Sequence, residues 1–161
     1  MNLKSSVYEI ARWVVVLVAV ISLLFLFGGN TVSDADPVEV AAAVTQTIDM
    51  TNMVEGDNKM VKRFYGLDPS AYEACILYYP TTNMMAEELL IVKLSDMGQQ
   101  EAVRAAIEAR LATQKNTFEG YGGEQFDMLT NASAVEIRGN YVLFVVNNAW
   151  AEARKAFLGA L

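Results

Sequence analysis

The strongest pattern in the chain is a block of apolar residues near its start. Residues 13–27 (WVVVLVAVISLLFLF) are interrupted only by Ser22. Counted over residues 10–29 the stretch is 20 residues, about 30 Å as a helix and about one hydrocarbon thickness. A soluble core helix would show a polar face, and this run has none. Arg12 lies close enough to one end to reach lipid headgroups, and Trp13 stands where an interfacial aromatic belongs. No small-residue cleavage site follows at Phe27-Gly28-Gly29-Asn30-Thr31. The pattern predicts a transmembrane signal anchor over 13–29, behind a short cytoplasmic segment at 1–12. Lys4 and Arg12 precede the anchor while Asp34, Asp36 and Glu39 follow it, so the basic bias places the N-terminus in the cytoplasm and the rest of the chain outside.

Beyond a spacer at 30–37, the pattern changes to that of one folded domain over 38–161. Asp36 fits an N-cap, Pro37 the first helical position and Glu39 the third. Val40, Val44 and Ile48 recur every four residues, with Met50, Met53 and Val54 widening the stripe, so the helix is expected to run to Gly56. A shorter helix is expected at 59–65, between Asn58 and Gly66. Residues 73–79 (EACILYY) and 88–94 (ELLIVKL) read as strands. A long helix follows over 99–118, with Val103, Ile107, Leu111, Gln114 and Phe118 on one face and Arg104 and Glu108 as an i,i+4 pair outside it. After the Gly120–Gly123 break, residues 124–129 add a turn of helix.

The clearest local signal is a hairpin over 133–138 and 141–147, closed by Gly139-Asn140 in a tight primed turn. That turn sets Arg138 opposite Tyr141, Ile137 opposite Val142 and Val135 opposite Phe144. One face carries Val135, Ile137, Val142, Phe144 and Val146. The reverse face mixes Glu136 and Arg138 with Tyr141, Leu143 and Val145, too apolar for water unless a helix or another chain covers it. A last helix from Asn148 buries Trp150, Ala153, Phe157 and Leu161. The order strand, strand, helix, strand, strand, helix implies an α+β fold, a mainly antiparallel four-stranded sheet packed against helices in two layers.

Composition removes many chemistries. The chain has 161 residues, no His and one Cys. His-based nucleophile systems, His metal sites and intrachain disulfides are therefore excluded. Apart from Lys4, Glu9 and Arg12, the chain carries 10 basic against 18 acidic side chains, which argues against a nucleic-acid partner. No catalytic constellation and no cofactor motif emerges. Paired carboxylates are the one side-chain catalysis this composition readily permits, and a carboxylate-dependent envelope hydrolase would draw on Glu73, Glu87, Glu88 or Glu124. Glu88 shares the parity of Leu90 and Val92, which makes it half-buried or paired with Lys93 or an Arg elsewhere. Cys75, set among Ile76 and Leu77, reads as a buried hydrophobe. Met50-x-x-Met53 and Met84-Met85 lack the His that would favour copper. Asp34-x-Asp36 lacks the Gly and distal Glu of a calcium loop.

Tyr65-Gly66-Leu67-Asp68, Ala86-Glu87-Glu88 running into Ile91-Val92-Lys93, Gln114-Lys115 leading to Phe118-Glu119-Gly120-Tyr121, and Gly139-Asn140-Tyr141 occur in that order. The series resembles the domain of unknown function 4358, found on extracytoplasmic, often lipid-anchored proteins of Gram-positive bacteria. The resemblance spans about 38–158. It implies an extracytoplasmic location but no activity and no catalytic residues, and the lipid-anchoring Cys is missing here. The reading is a membrane-anchored extracytoplasmic protein with a non-enzymatic binding or envelope-assembly role; a hydrolase or a small-ligand sensor is the alternative. Its expected partners are the cytoplasmic membrane, through residues 13–29, and an envelope protein or ligand. The candidate partner surface is Tyr141, Leu143 and Val145 on the reverse hairpin face, with Tyr78 and Tyr121 as stacking side chains.

Overall fold

The computed structural model describes residues 12–20, 22, 31–120 and 123–161. The chain divides into two units, residues 1–31 and 32–161. In the first, residues 12–20 are helical (α1). Ile21 and residues 23–29, which complete the expected anchor, and residues 1–11 of the expected cytoplasmic segment lie outside the described residues. Among the described residues no helix is long and apolar enough to cross a membrane.

The second unit runs α2 (Pro37–Thr45), β1 (Met53–Gly56), α3 (Asn58–Tyr65), β2 (Ala74–Pro80), β3 (Glu88–Lys93), α4 (Gln100–Phe118), α5 (Gly123–Asn131), β4 (Ser133–Arg138), β5 (Tyr141–Val146) and α6 (Trp150–Ala160). The strands form one sheet in the order β1-β2-β3-β5-β4, with every neighbouring pair antiparallel. The α+β class and the antiparallel sheet agree with the sequence. The hairpin register is also as expected, with Arg138 opposite Tyr141 and Val135 opposite Phe144.

Two expectations are corrected. The sheet has five strands instead of four, because α2 stops at Thr45 and Met53–Gly56 pairs with β2 as an edge strand. The polypeptide leaves the helix through a turn in which Thr51 N donates to Asp49 Oδ1 at 2.9 Å and Met53 N to the Met50 carbonyl at 3.0 Å. Such a side-chain-closed turn competes directly with helical continuation. Gly56 ends this strand where a Cβ would lie 2.8 Å from Leu77 Cδ2, so no larger residue fits without moving Leu77.

The second correction is that the helices cover both faces of the sheet, giving three layers where two were expected. On one face α2 and α6 enclose Leu89, Ile91, Tyr141, Leu143 and Val145 with Val40, Val44, Ala153 and Phe157. On the other, α3, α4 and α5 enclose Leu90, Val92, Val142, Phe144 and Val146 with Val61, Ile107 and Leu129. All residues of β3 and β5 are buried. Burial of both faces is what their near-continuous apolar runs require.

The domain is closed at one end by its first residues. Ser33 N donates to Asn140 Oδ1 at 2.8 Å, and Asn140 Nδ2 donates back to the Ser33 carbonyl at 3.1 Å. The Ala35 carbonyl accepts from Tyr141 Oη at 2.5 Å and from Lys93 Nζ at 3.2 Å. Residues 33–35 are thus bonded into the fold. The expected spacer contributes structure.

A candidate binding cavity

Glu88 opens β3 and points, with Leu90 and Val92, toward the layer of α3, α4 and α5. Only 1% of it is exposed. An isolated carboxylate there would be too costly to keep ionised, so its surroundings decide its state. On α4 the buried stripe Val103, Ile107 and Phe118 is interrupted by Arg110 and Gln114, three and seven residues after Ile107. Arg110 Nη2 lies 2.7 Å from Glu88 Oε2, and Nε lies 3.0 Å from Oε1. Gln114 Nε2 adds a longer contact to Oε2 at 3.3 Å, and Tyr65 Oη donates to Oε1. Both carboxylate oxygens are therefore saturated, the condition under which a buried ion pair holds.

Tyr65 is the last residue of α3, which Gly66 terminates with φ 68°, a conformation glycine adopts at little cost. Burial first, then the adjacent Glu88 charge, holds the Tyr65 hydroxyl well above the ordinary phenol range, so it remains a donor. Phe64, one residue earlier, lies beneath the guanidinium, its ring centre 4.1 Å from Arg110 Cζ. Tyr79 meets Phe64 edge-on at 5.4 Å. Arg110 is thus fixed by a carboxylate on one side and an aromatic face on another.

Beside this cluster is a cavity of about 500 Å³, within the size range of small-molecule sites. Its walls come from α3 (Arg63, Phe64), the end of β2 and the loop after it (Tyr79, Thr81) and α4 (Arg110, Thr117). Among the described residues no carboxylate lines it. The cavity lies at the Pro80–Glu88 end of the sheet. The chain enters the domain at the other end, where Ala35 meets Lys93 and Tyr141. The six residues of β3 separate the two, about 20 Å at the ordinary strand rise.

A smaller recess of about 160 Å³ is bordered by Asp49, Asn52, Glu87 and Asn147. Glu87 Oε2 is buried there with no hydrogen-bond partner among the described residues. No group of three or more Cys, Asp or Glu side chains among the described residues is placed to hold a metal ion.

The residues singled out from the sequence scatter. Tyr141, Leu143 and Val145 are each 0% exposed; α2 and α6 cover them, so the domain's own helices occupy the surface considered for a partner. Tyr78 is half-buried against the same cluster. Tyr121 lies outside the described residues. Of the four glutamates, Glu73 pairs with Lys93 at 2.6 Å at the far end of β3, Glu124 is exposed on α5, and neither cavity brings two of the four together. Arg104 meets Glu101, one turn back, instead of Glu108. Arg110, Tyr65 and Phe64 were missed as site residues. The signal for Arg110 and Gln114 was a pair of polar residues at buried-stripe positions of a helix.

The sequence pattern of the Domain of unknown function (DUF4358) matches residues 46–147. The chain belongs to this family. No curated protein and no solved structure matches it. The DUF4358 span begins just after α2 and ends just before α6. It contains the whole sheet, the layer of α3, α4 and α5, and every residue named above as lining the larger cavity. The α2–α6 layer lies outside it.

Proposed function

We propose that the chain is a membrane-anchored extracytoplasmic binding protein whose ligand occupies the cavity between α3 and α4. The carrying observation is the cavity itself, walled by an arginine that Glu88 and Phe64 hold in place. Such a site is pre-organised for binding, since its main polar group loses little freedom when a ligand arrives. Among the described residues it offers no nucleophile–base pair, and the Glu88 carboxylate beside it is consumed by the arginine.

The anchor rests on the apolar run at 13–27 and on the basic residues before it. Impermeant-maleimide labelling of intact cells tests the topology, using Thr117→Cys in a Cys75→Ala background. Labelling without lysis, with the protein retained in membranes after carbonate washing, is the expected result. Labelling only after lysis, or release by carbonate, overturns the reading.

A further inference from the structure

We infer that the ligand of this cavity is a small organic anion, its carboxylate or phosphate seated between Arg63 and Arg110 and its apolar part against Phe64. The inference rests on the binding role proposed above and names the chemistry of that ligand. Arg110 spends Nε and Nη2 on Glu88. Its remaining nitrogen, Nη1, has no hydrogen-bond partner among the described residues, although Arg110 lines the cavity. A guanidinium fixed along one edge presents the other as a ready donor, and the fork geometry suits an oxyanion.

Arg63 lines the same cavity from α3, is exposed, and makes no ion pair among the described residues. Because Glu88 balances Arg110, Arg63 supplies the net positive charge of the site. It has support: Lys59 and Lys62 share its helix, and Lys115 follows on α4. With Arg104 as well, α3 and α4 carry six of the ten basic residues beyond the apolar segment against two acidic ones, Glu101 and Glu108, in an otherwise acidic domain. Asymmetry of this kind attracts anions to one place while the remaining surface repels them. The floor is apolar and aromatic, and Thr81, Thr82 and Thr117 supply neutral hydrogen-bonding groups. Among the described residues no carboxylate lines the cavity to attract a cation.

Fluorine NMR of the full chain in a non-ionic detergent tests the assignment with three probes: 4-fluorobenzoate, 4-fluorophenyl phosphate and the uncharged 4-fluorobenzamide. Both anions are expected to bind about tenfold more tightly than the amide at low salt, with the preference shrinking as salt rises. Arg63→Gln, at an exposed position with no ion pair among the described residues, is expected to weaken the anions about fivefold or more and leave the amide unchanged. Thr117→Trp, which fills the cavity, is expected to remove binding of all three. Equal binding of anions and amide, or anion binding indifferent to Arg63→Gln, overturns the anion assignment while the binding cavity stands. Failure of all three probes, or binding that survives Thr117→Trp, overturns the cavity reading as well.

Discussion

Arg110 and Glu88, 22 residues apart in sequence, meet through two guanidinium nitrogens at 2.7 and 3.0 Å beneath the α3–α4 layer. The ion pair ties the first residue of β3 to the middle of α4, and Tyr65 brings the end of α3 to the same carboxylate. The two helices that wall the cavity are therefore tied to the start of β3 by one buried charge.

Removing one partner leaves the other charge buried and unpaired. Arg110→Met is expected to destabilise the domain by about 3–5 kcal/mol, and Glu88→Leu by a comparable amount. The double variant, which buries no charge, is expected to recover most of that loss. Thermal unfolding of the four proteins in one detergent gives the coupling. Strictly additive losses would show that the pair does not set this layer.

The strap at Ser33–Ala35 gives a second prediction. Asn140 both donates to and accepts from the Ser33 backbone, which an aspartate cannot do. Asn140→Asp is expected to cost about 1–3 kcal/mol by leaving a carbonyl unpaired, and Tyr141→Phe about 1 kcal/mol. Limited proteolysis of the full chain should then cut between residues 31 and 36 well before it cuts the sheet. If cleavage rates there match the parent protein, the strap is not what holds these residues.

How much of this was legible depended on the length of the signal. The Gly139-Asn140 hairpin was read to its register, because a two-residue turn and twelve strand residues all agreed. β1 was not, because four residues are too short to show alternation, and Met53 and Val54 happened to extend the four-residue spacing of α2. The Asp49-x-Thr51 turn was the available stop signal. The second helical layer was legible in principle. ELLIVK and YVLFVV have no polar face between them, which only a sheet covered on both sides accommodates. Glu88 was read as half-buried, or as paired with Lys93 or an arginine elsewhere; its full burial and its pairing with Arg110 are tertiary facts that no local pattern encodes. The cavity itself has no sequence signature, since its lining comes from α3, a loop and α4.

Tyr65 yields a prediction at alkaline pH. Its folded-state pKa is raised above the ordinary value, so the folded protein holds this proton where the unfolded chain releases it. The associated stability is fully present below about pH 10, the ordinary phenol value, and is lost as pH rises beyond it. Tyr65→Phe is expected to lower stability by about 1 kcal/mol near neutrality, through loss of the hydrogen bond to Glu88. It should also flatten the alkaline fall in melting temperature. An alkaline profile identical to that of the parent would mean that Tyr65 is not the group responsible.

Cys75 reports on packing at the other end of β2. Burial pushes its thiol from 9.0 up to about 11. The thiolate is the reacting species, so at pH 8 a shift of this size lowers the reactive fraction about 100-fold. Alkylation by iodoacetamide is accordingly expected to be about 100-fold slower in the folded chain than in urea. The same shift has a stability sign. Because the folded state keeps the proton longer, the contribution is whole below about pH 9 and is lost as pH climbs to about 11. The difference in melting temperature between the parent and Cys75→Ala should change across that interval and stay constant below it. Comparing the two proteins at each pH cancels the tyrosines that Cys75 does not touch, while Tyr72, whose hydroxyl is held up by burial and then by the Cys75 charge, is removed by repeating the comparison in a Tyr72→Phe background. Alkylation as fast in the folded as in the unfolded chain would place Cys75 at an open surface, contrary to its packing against Tyr72 and the α3–α4 layer.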